Sequence, residues 1–206
     1  MYETFENLPE DRKEQIMQIC IEEFAKNGYE NTSTNTIVKR LGISKGLLFL
    51  YFKSKMHLYL YLIDFLTKVY YIKYINLFPN QHPTEFIDIF NYTGDFYKIL
   101  IKENPYIIVF FLKMEMNIST EIQKEINLIR NEYHERFLKN LNMNYIRKNI
   151  DIQKILNLLH MASYHIGQVI LRDSEGDLEF FNKHADKYIR EYNDYLDIIK
   201  LGTYER

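Results

Sequence analysis

Residues Ser33–Leu58 read STNTIVKRLGISKGLLFLYFKSKMHL and contain two short amphipathic segments separated by Gly42. Ser33 and Ser44 stand just before these segments, at positions where a hydroxyl group caps the first turn of a helix. Two short helices joined by a glycine turn are typical of a helix-turn-helix. We therefore predict helices over residues 34–41 and 44–52. The side chains predicted to point away from the interior are Lys45, Leu47, Leu50 and Tyr51.

Charge is unevenly distributed along the chain, although the formal net charge is only −2. Residues 1–30 carry eight acidic and three basic side chains, whereas residues 31–63 carry five basic side chains and no acidic one. A window that contains cations alone is typical of a surface that faces phosphate groups. The alternative is a solvated helix face that lacks acids by chance, and charge alone does not separate the two.

Helical periodicity extends over the whole chain and predicts an all-α protein of about nine helices. We predict an N-terminal three-helix domain over residues 1–53 and a larger helical body over residues 54–206. The first helix is expected to begin near Pro9 and to stop at Gly28.

Several classes of function are disfavoured by composition. A single cysteine, Cys20, excludes an intrachain disulfide and a cysteine-based zinc site. None of the six histidines has a glutamate three residues before it, and no Gly-x-Ser-x-Gly motif or glycine-rich phosphate loop occurs. We expect neither an enzyme nor a cofactor. Short apolar runs and an acidic N-terminus predict a cytoplasmic protein without membrane contact.

The motifs of residues 8–58 resemble the TetR family (TetR/AcrR type) of bacterial transcriptional regulators. The run Gly42-Ile43-Ser44-Lys45-Gly46, followed by FLYFKSK over residues 49–55, is similar to the family's recognition-helix block. Upstream, the resemblance is carried by Leu8-Pro9, Ile16, Phe24, Gly28-Tyr29, Thr32-Ser33 and Ile37. The resemblance implies a helix-turn-helix DNA-binding domain and a ligand-binding and dimerisation domain. It also implies a ligand-responsive repressor that binds a palindromic operator as a homodimer.

The resemblance assigns DNA contacts to specific residues. Ser33, Ser44, Tyr51 and Lys55 fall at phosphate-contacting positions, which suits hydroxyl groups and a cation near helix starts. Lys45 and Gly46 begin the recognition helix, where a lysine reaches a base edge and a glycine lets the backbone approach DNA. The predicted DNA-binding residues are Ser33, Ser44, Lys45, Gly46, Leu47, Leu50, Tyr51, Lys53 and Lys55.

Three positions depart from the family pattern. Leu47 stands where threonine or serine is common, Leu50 where histidine is common, and Val38 where alanine is usual. Because leucine cannot hydrogen-bond to a base, we hypothesise that Leu47 and Leu50 press against thymine methyl groups of an A/T-rich half-site. The alternative is that both leucines pack on neighbouring helix ends.

The last two predicted helices, over residues 151–171 and 178–200, carry apolar residues on more than one face. A helix buried on two sides needs one partner inside its own subunit and one outside it. We predict a homodimer built from these helices, which the resemblance also implies; the alternative is a core within one chain. The predicted interface residues are Ile155, Leu158, Ala162, His165, Gly167, Val169, Phe181, Ala185, Tyr188, Tyr192 and Tyr195.

Aromatic and methionine residues in the body suggest a pocket for an unknown small, mostly apolar ligand. Taken alone, each of these residues is better explained by core packing, and only the group suggests a pocket. His160 or Tyr164 is the expected polar contact. The predicted pocket residues are Tyr70, Phe96, Phe110, Phe111, Met114, Tyr133, Phe137, His160, Met161 and Tyr164. The alternative to a DNA-binding regulator is an all-helical adaptor that binds proteins and no DNA.

Overall fold

The computed structural model describes residues 2–77, 86–114, 118–138, 144–174 and 177–204. These residues form ten α-helices and no β-strand, which confirms the predicted all-α class. In chain order the helices are α1 (Glu3–Glu6), α2 (Glu10–Asn31), α3 (Thr34–Leu41), α4 (Lys45–Phe52), α5 (Lys55–Leu77), α6 (Asp88–Glu103), α7 (Pro105–Lys113), α8 (Thr120–Leu138), α9 (Ile152–Ser174) and α10 (Leu178–Thr203). None of the helices in these ranges is long and apolar enough to cross a membrane.

The chain divides into two compact units. The first unit combines Met1–Lys73 with Val109–Glu135, and the second combines Tyr74–Ile108 with Arg136–Arg206. The first unit therefore contains the predicted DNA-binding segment and is larger than that segment. The predicted functional boundary between residues 53 and 54 stays a prediction.

The turn between α3 and α4 depends on Gly42. Its φ of 65° lies in the left-handed region, which glycine adopts without the steric cost that a Cβ atom brings. The amide of Ile43 donates to the carbonyl of Val38 at 3.1 Å and so satisfies a carbonyl at the end of α3. At the start of α4, the Oγ of Ser44 accepts from the amide of Leu47 at 3.1 Å, so this predicted cap is confirmed. Ser33 precedes α3 but makes no side-chain cap hydrogen bond, and that expectation is wrong.

A short N-terminal helix that periodicity did not predict covers one side of α4. Phe5 of α1 is fully buried, and its ring centroid lies 4.7 Å from that of Phe52 and 5.3 Å from that of Tyr61. The hydroxyl of Tyr61 donates to the carboxylate of Glu6 at 2.6 Å. Hence α1 is attached to α4 and α5 by an aromatic cluster and one charge-assisted hydrogen bond.

In the second unit, α10 packs against both α6 and α9. Gly94 permits a close approach to α10, because a Cβ atom there would lie 2.8 Å from the Cγ2 of Ile189. Between α9 and α10, the hydroxyl of Ser163 donates to that of Tyr192 at 3.2 Å. Fully buried Leu196 completes this core.

Six residues predicted for the dimer interface lie instead in the core of the second unit. Their side chains, or the backbone in the case of the glycine, are buried within a single chain, so the assignment of these positions to an intermolecular contact is wrong. The sequence prediction assigned buried positions of α9 and α10 to the dimer, because periodicity does not tell which apolar face of a helix packs against the chain's own helices. The six residues are Ile155, Ala162, Gly167, Ala185, Tyr188 and Tyr192.

Candidate DNA-binding interface

The outward face of α4 is formed by the residues that face neither α1 nor α3. Lys45, Gly46 and Lys53 are exposed, Leu47 is half-buried, and Leu50 is 61% exposed. Leu50 therefore does not pack on neighbouring helix ends. These positions agree with the predicted orientation of Lys45 and Leu50.

Tyr51 does not share this orientation. Only 7% of its surface is exposed, and its ring centroid lies 6.0 Å from that of Phe5. The prediction that Tyr51 points away from the interior is wrong, because the unpredicted helix α1 covers it. Its side chain contributes to the packing of α4.

Three lysines surround this face without an ion pair among the described residues. Lys39 of α3, Lys45 and Lys53 are exposed, and no described carboxylate lies within 4.0 Å of their ammonium groups. The ammonium group of Lys45 lies 5.9 Å from the ring centroid of Phe49 in its own helix. These three lysines of the acid-free window are thus not neutralised by a carboxylate of the described residues.

Arg40 is the exception among these cations. Its guanidinium donates to Glu22 at 2.7 Å and to Glu23 at 2.8 Å, and Glu23 is itself buried. Although burial alone would raise the pKa of the Glu22 carboxyl, hydrogen bonds from Arg40 and Gln18 hold it below its usual value. Arg40 therefore ties α3 to α2.

A depression of about 580 Å³ lies on α3 beside these charges. Sequence reasoning did not select Asn35 and Thr36, which are exposed and line it together with Lys39 and Arg40. The available signal was their polar character within the acid-free window, at outward positions of the first helix of the motif. Such a helix crosses the DNA backbone when the second helix occupies the groove.

Lys53 has an unusual backbone conformation. It follows α4 with a φ of 59°, and it is the one non-glycine residue with positive φ among the described residues. Its amide donates to the carbonyl of Phe49 at 2.8 Å and closes the last turn. A side chain in this conformation costs roughly 1–3 kcal/mol, so a cation stands where the backbone favours glycine.

The predicted phosphate contact of Lys55 is not favoured by its geometry. Its Nζ donates to the carbonyls of Tyr29 at 2.8 Å, Glu30 at 3.1 Å and Thr32 at 3.2 Å. It also lies 4.5 Å from the ring centroid of Tyr29. These carbonyls are free because Gly28, with φ 68° and ψ 176°, interrupts the helical geometry of α2, as predicted. Lys55 therefore caps the end of α2.

The predicted pocket residues are divided between the two units. In the first unit, buried Phe110 packs 5.3 Å from Tyr59 and 6.4 Å from Phe24, and Tyr70 lies 6.4 Å from Phe111 (ring centroids). Met114 is buried there as well, and the hydroxyl of Tyr133 donates to Asp64 at 3.2 Å. In the second unit, Phe96 is buried 5.3 Å from Tyr74. These contacts are those of core side chains.

His160, Met161 and Tyr164 are exposed on α9, so their assignment to an enclosed pocket is wrong. The side chains of Phe137 and of Phe181, predicted for the pocket and the dimer, lie outside the described residues.

Apolar side chains are exposed on the surface of the second unit. Those on α9 and α10, which we refer to together as the outer α9–α10 face, are Leu158, Met161, Tyr164, Tyr195, Ile198 and Leu201. Exposed His165 and half-buried Val169, both predicted for the dimer interface, belong to α9. Large exposed apolar surfaces mark sites of association.

The second helix of the motif, α4, is capped by Ser44, flanked by Lys45 and Lys53, and exposed on one face. This arrangement is that of a helix-turn-helix DNA-binding domain. The sequence model of the bacterial regulatory proteins of the tetR family matches residues 16–62, which include the whole motif.

Solved structures extend the similarity to the whole chain. A TetR family transcriptional regulator from Chloroflexus aurantiacus is similar with a TM-score of 0.67 and 20% identity, over 99% of this chain and 98% of that one. The transcriptional regulator FadR from Bacillus subtilis, in complex with stearoyl-CoA, gives a TM-score of 0.67 and 15% identity, over 92% and 98%. SmeT, the repressor of the Stenotrophomonas maltophilia multidrug efflux pump SmeDEF, is similar with a TM-score of 0.64 and 16% identity, over 93% of this chain and 90% of that one. No curated protein sequence matches.

Residues 16–62 match the family model of the bacterial tetR regulatory proteins, and the whole chain has the fold of TetR family transcriptional regulators. The resemblance predicted from the sequence is thereby confirmed.

Proposed function

We propose that the protein is a repressor that binds a palindromic DNA operator as a homodimer and releases it when a small, mostly apolar ligand binds. The observation that carries this proposal is the exposed surface of α3 and α4, where Lys39, Lys45 and Lys53 make no ion pair with any residue that the structure describes, within a segment that matches the tetR family model. An eight-residue helix is about 12 Å long and fits the major groove, which admits one helix.

Gly46 supports a close approach of the α4 backbone to DNA. A Cβ atom at this position would meet only the Oγ of Ser44, at 3.9 Å, so the protein itself leaves room for a side chain. Gly46→Ala is therefore expected to keep or raise the free energy of unfolding, because alanine is favoured over glycine in a helix by about 1 kcal/mol. It is expected to weaken DNA binding, since the added methyl group lies between backbone and DNA.

Selection of bound duplexes from a random pool tests DNA binding. Enrichment of a palindromic sequence, and an affinity that falls steeply with salt, are the expected results. Lys45→Ala should also blur the sequence preference. An adaptor that binds proteins only would enrich no duplex, and this outcome would refute the proposal.

The outer α9–α10 face is the surface proposed for dimerisation. A palindromic operator requires a two-fold dimer, and a single apolar face that meets its own copy supplies one. Among the predicted interface residues, Leu158 and Tyr195 belong to this face, and the ring of exposed His165 lies 6.0 Å from that of Tyr195.

Matched variants test this interface. Ile198→Glu places a charge on the proposed contact, whereas Leu128→Glu places the same charge on α8; the two side chains are 66% and 65% exposed. Sedimentation should give twice the 25.1 kDa chain mass for the wild type and for Leu128→Glu, and the single-chain mass for Ile198→Glu. A dimer that persists in Ile198→Glu would place the interface elsewhere.

The ligand part of the proposal is supported by the packing of the first unit. The Nζ of Lys113 in α7 donates to the carbonyl of Lys26 in α2 at 2.8 Å, and Phe110 packs 6.4 Å from Phe24. A ligand that displaces α7 would therefore displace α2, on which α3 packs. The stearoyl-CoA bound to FadR and the repressor role of SmeT support an apolar effector and a repressor.

Native mass spectrometry of the purified protein tests for such a ligand. A bound molecule that dissociates on unfolding, and whose readdition lowers operator affinity, is the expected result. An added ligand that leaves operator affinity unchanged would contradict the proposed mechanism.

A further inference from the structure

The recognition surface of α4 offers no hydrogen-bonding side chain between Lys45 and Lys53. The one hydroxyl group within residues 46–52 belongs to Tyr51, which is buried beneath α1. Between Lys45 and Lys53, the most exposed side chain is that of Leu50, with 61% of its surface exposed. Polar readout of base edges by the middle of this helix is therefore not available.

Charge identifies the kind of partner that this apolar surface meets. Lys39, Lys45 and Lys53 are exposed around it without an ion pair among the described residues, and residues 31–63 contain no acid. A polyanion satisfies these cations. Within the major groove of a duplex, the apolar feature on base edges is the C5-methyl group of thymine.

We propose that Leu50 sets the operator preference of the protein by contacting thymine C5-methyl groups in the major groove. This inference rests on the proposed DNA-binding function and adds to it the base that each half-site presents to α4. Half-buried Leu47 lies about one turn earlier on α4.

Replacing thymine by deoxyuridine tests this contact, because only the methyl group is removed. The selected operator is synthesised with deoxyuridine at one thymine pair after another, and binding is followed by fluorescence anisotropy at fixed salt. For the wild type, removal of the contacted methyl group should weaken binding about fourfold, which corresponds to one buried methyl or methylene group. Removal in both half-sites should weaken it about sixteenfold, because a dimer makes the contact twice.

Variants of the protein show whether Leu50 makes the contact. Leu50→Ala should bind the thymine and the deoxyuridine operators with nearly equal affinity, whereas Leu128→Ala, changed at a similarly exposed leucine of α8, should discriminate like the wild type. The wild type should also bind an operator with 5-methylcytosine at the contacted position more tightly than one with cytosine there.

The possible failures are distinguishable. If no duplex is enriched, the proposed function itself is wrong and the inference falls with it. If an operator is enriched but every deoxyuridine substitution is neutral, or Leu50→Ala keeps the discrimination, DNA binding stands and the role of Leu50 is refuted. Selected half-sites that contain only G·C pairs opposite α4 would refute it as well.

Discussion

Phe5→Ala should destabilise the first unit by removing the side chain that attaches α1 to α4. Phe5 is fully buried, and the ring centroids of Phe52, Tyr61 and Tyr51 lie 4.7, 5.3 and 6.0 Å from its own. Truncation of a buried phenylalanine to alanine costs about 3–5 kcal/mol. Because α1 has four residues and undocks instead of enclosing a cavity, we expect the lower end, about 3 kcal/mol.

Urea unfolding followed by far-ultraviolet circular dichroism measures this loss. The matched control is Phe65→Ala, in which the same side chain is removed from a position that is 37% exposed and stacks 6.4 Å from Tyr61. We expect the control to lose less than about 1.5 kcal/mol. The reasoning would be refuted if Phe5→Ala lost no more stability than Phe65→Ala, since the aromatic cluster would then not hold α1 in place.

Three further predictions concern cations near the interface and the buried thiol. Lys53→Gly should raise the free energy of unfolding, measured in urea, by about 0.5–1 kcal/mol, because positive φ suits glycine, and should reduce the log–log slope of operator affinity against salt by about 1.8, because the dimer loses one phosphate contact in each half-site. Lys55→Met should leave that slope unchanged but lower the unfolding midpoint, because its ammonium group holds carbonyls of α2 and no phosphate; a slope reduced as much as in Lys53→Gly would contradict this. Burial, with a smaller contribution from nearby Glu23, raises the pKa of Cys20 to about 12, so at pH 8 the thiol is protonated in the folded protein and iodoacetamide should label it only in concentrated urea. Equal labelling rates in buffer and in urea would show that Cys20 is not buried.

The helix-turn-helix was predictable because its determinants are local. Gly42 and Ser44 act within one turn of their positions, and Ile37, Leu48 and Phe52, apolar residues at helical spacing, are all fully buried. The orientation of Tyr51 was not predictable in this way, because it depends on α1, a segment too short to show helical periodicity.

The helical body was less predictable, because the apolar face of a helix does not show which other helix packs against it. Both α9 and α10 have buried and exposed apolar positions, and only the packing of α10 against α6 and α9 separates them. Met161 and Ile198 are apolar residues of the types that usually lie in a core, yet both are exposed. Sequence spacing gives the angle between side chains on a helix, but the direction of the neighbouring helices is a property of the folded chain.

The end of α2 shows why the roles of individual lysines required the structure. Two ammonium groups from different helices, that of Lys55 in α5 and that of Lys113 in α7, each lie 2.8 Å from a carbonyl oxygen in the last turns of α2, at Tyr29 and Lys26 respectively. In the sequence both lysines are indistinguishable from those that remain exposed, because the carbonyls that attract them carry no side-chain signal. Burial lowers the pKa of Lys113, because desolvation disfavours its charged ammonium form. Lys39, Lys45 and Lys53 are therefore the exposed lysines available to the proposed DNA contact, whereas Lys55 and Lys113 hold the end of α2, the helix on which α3 packs.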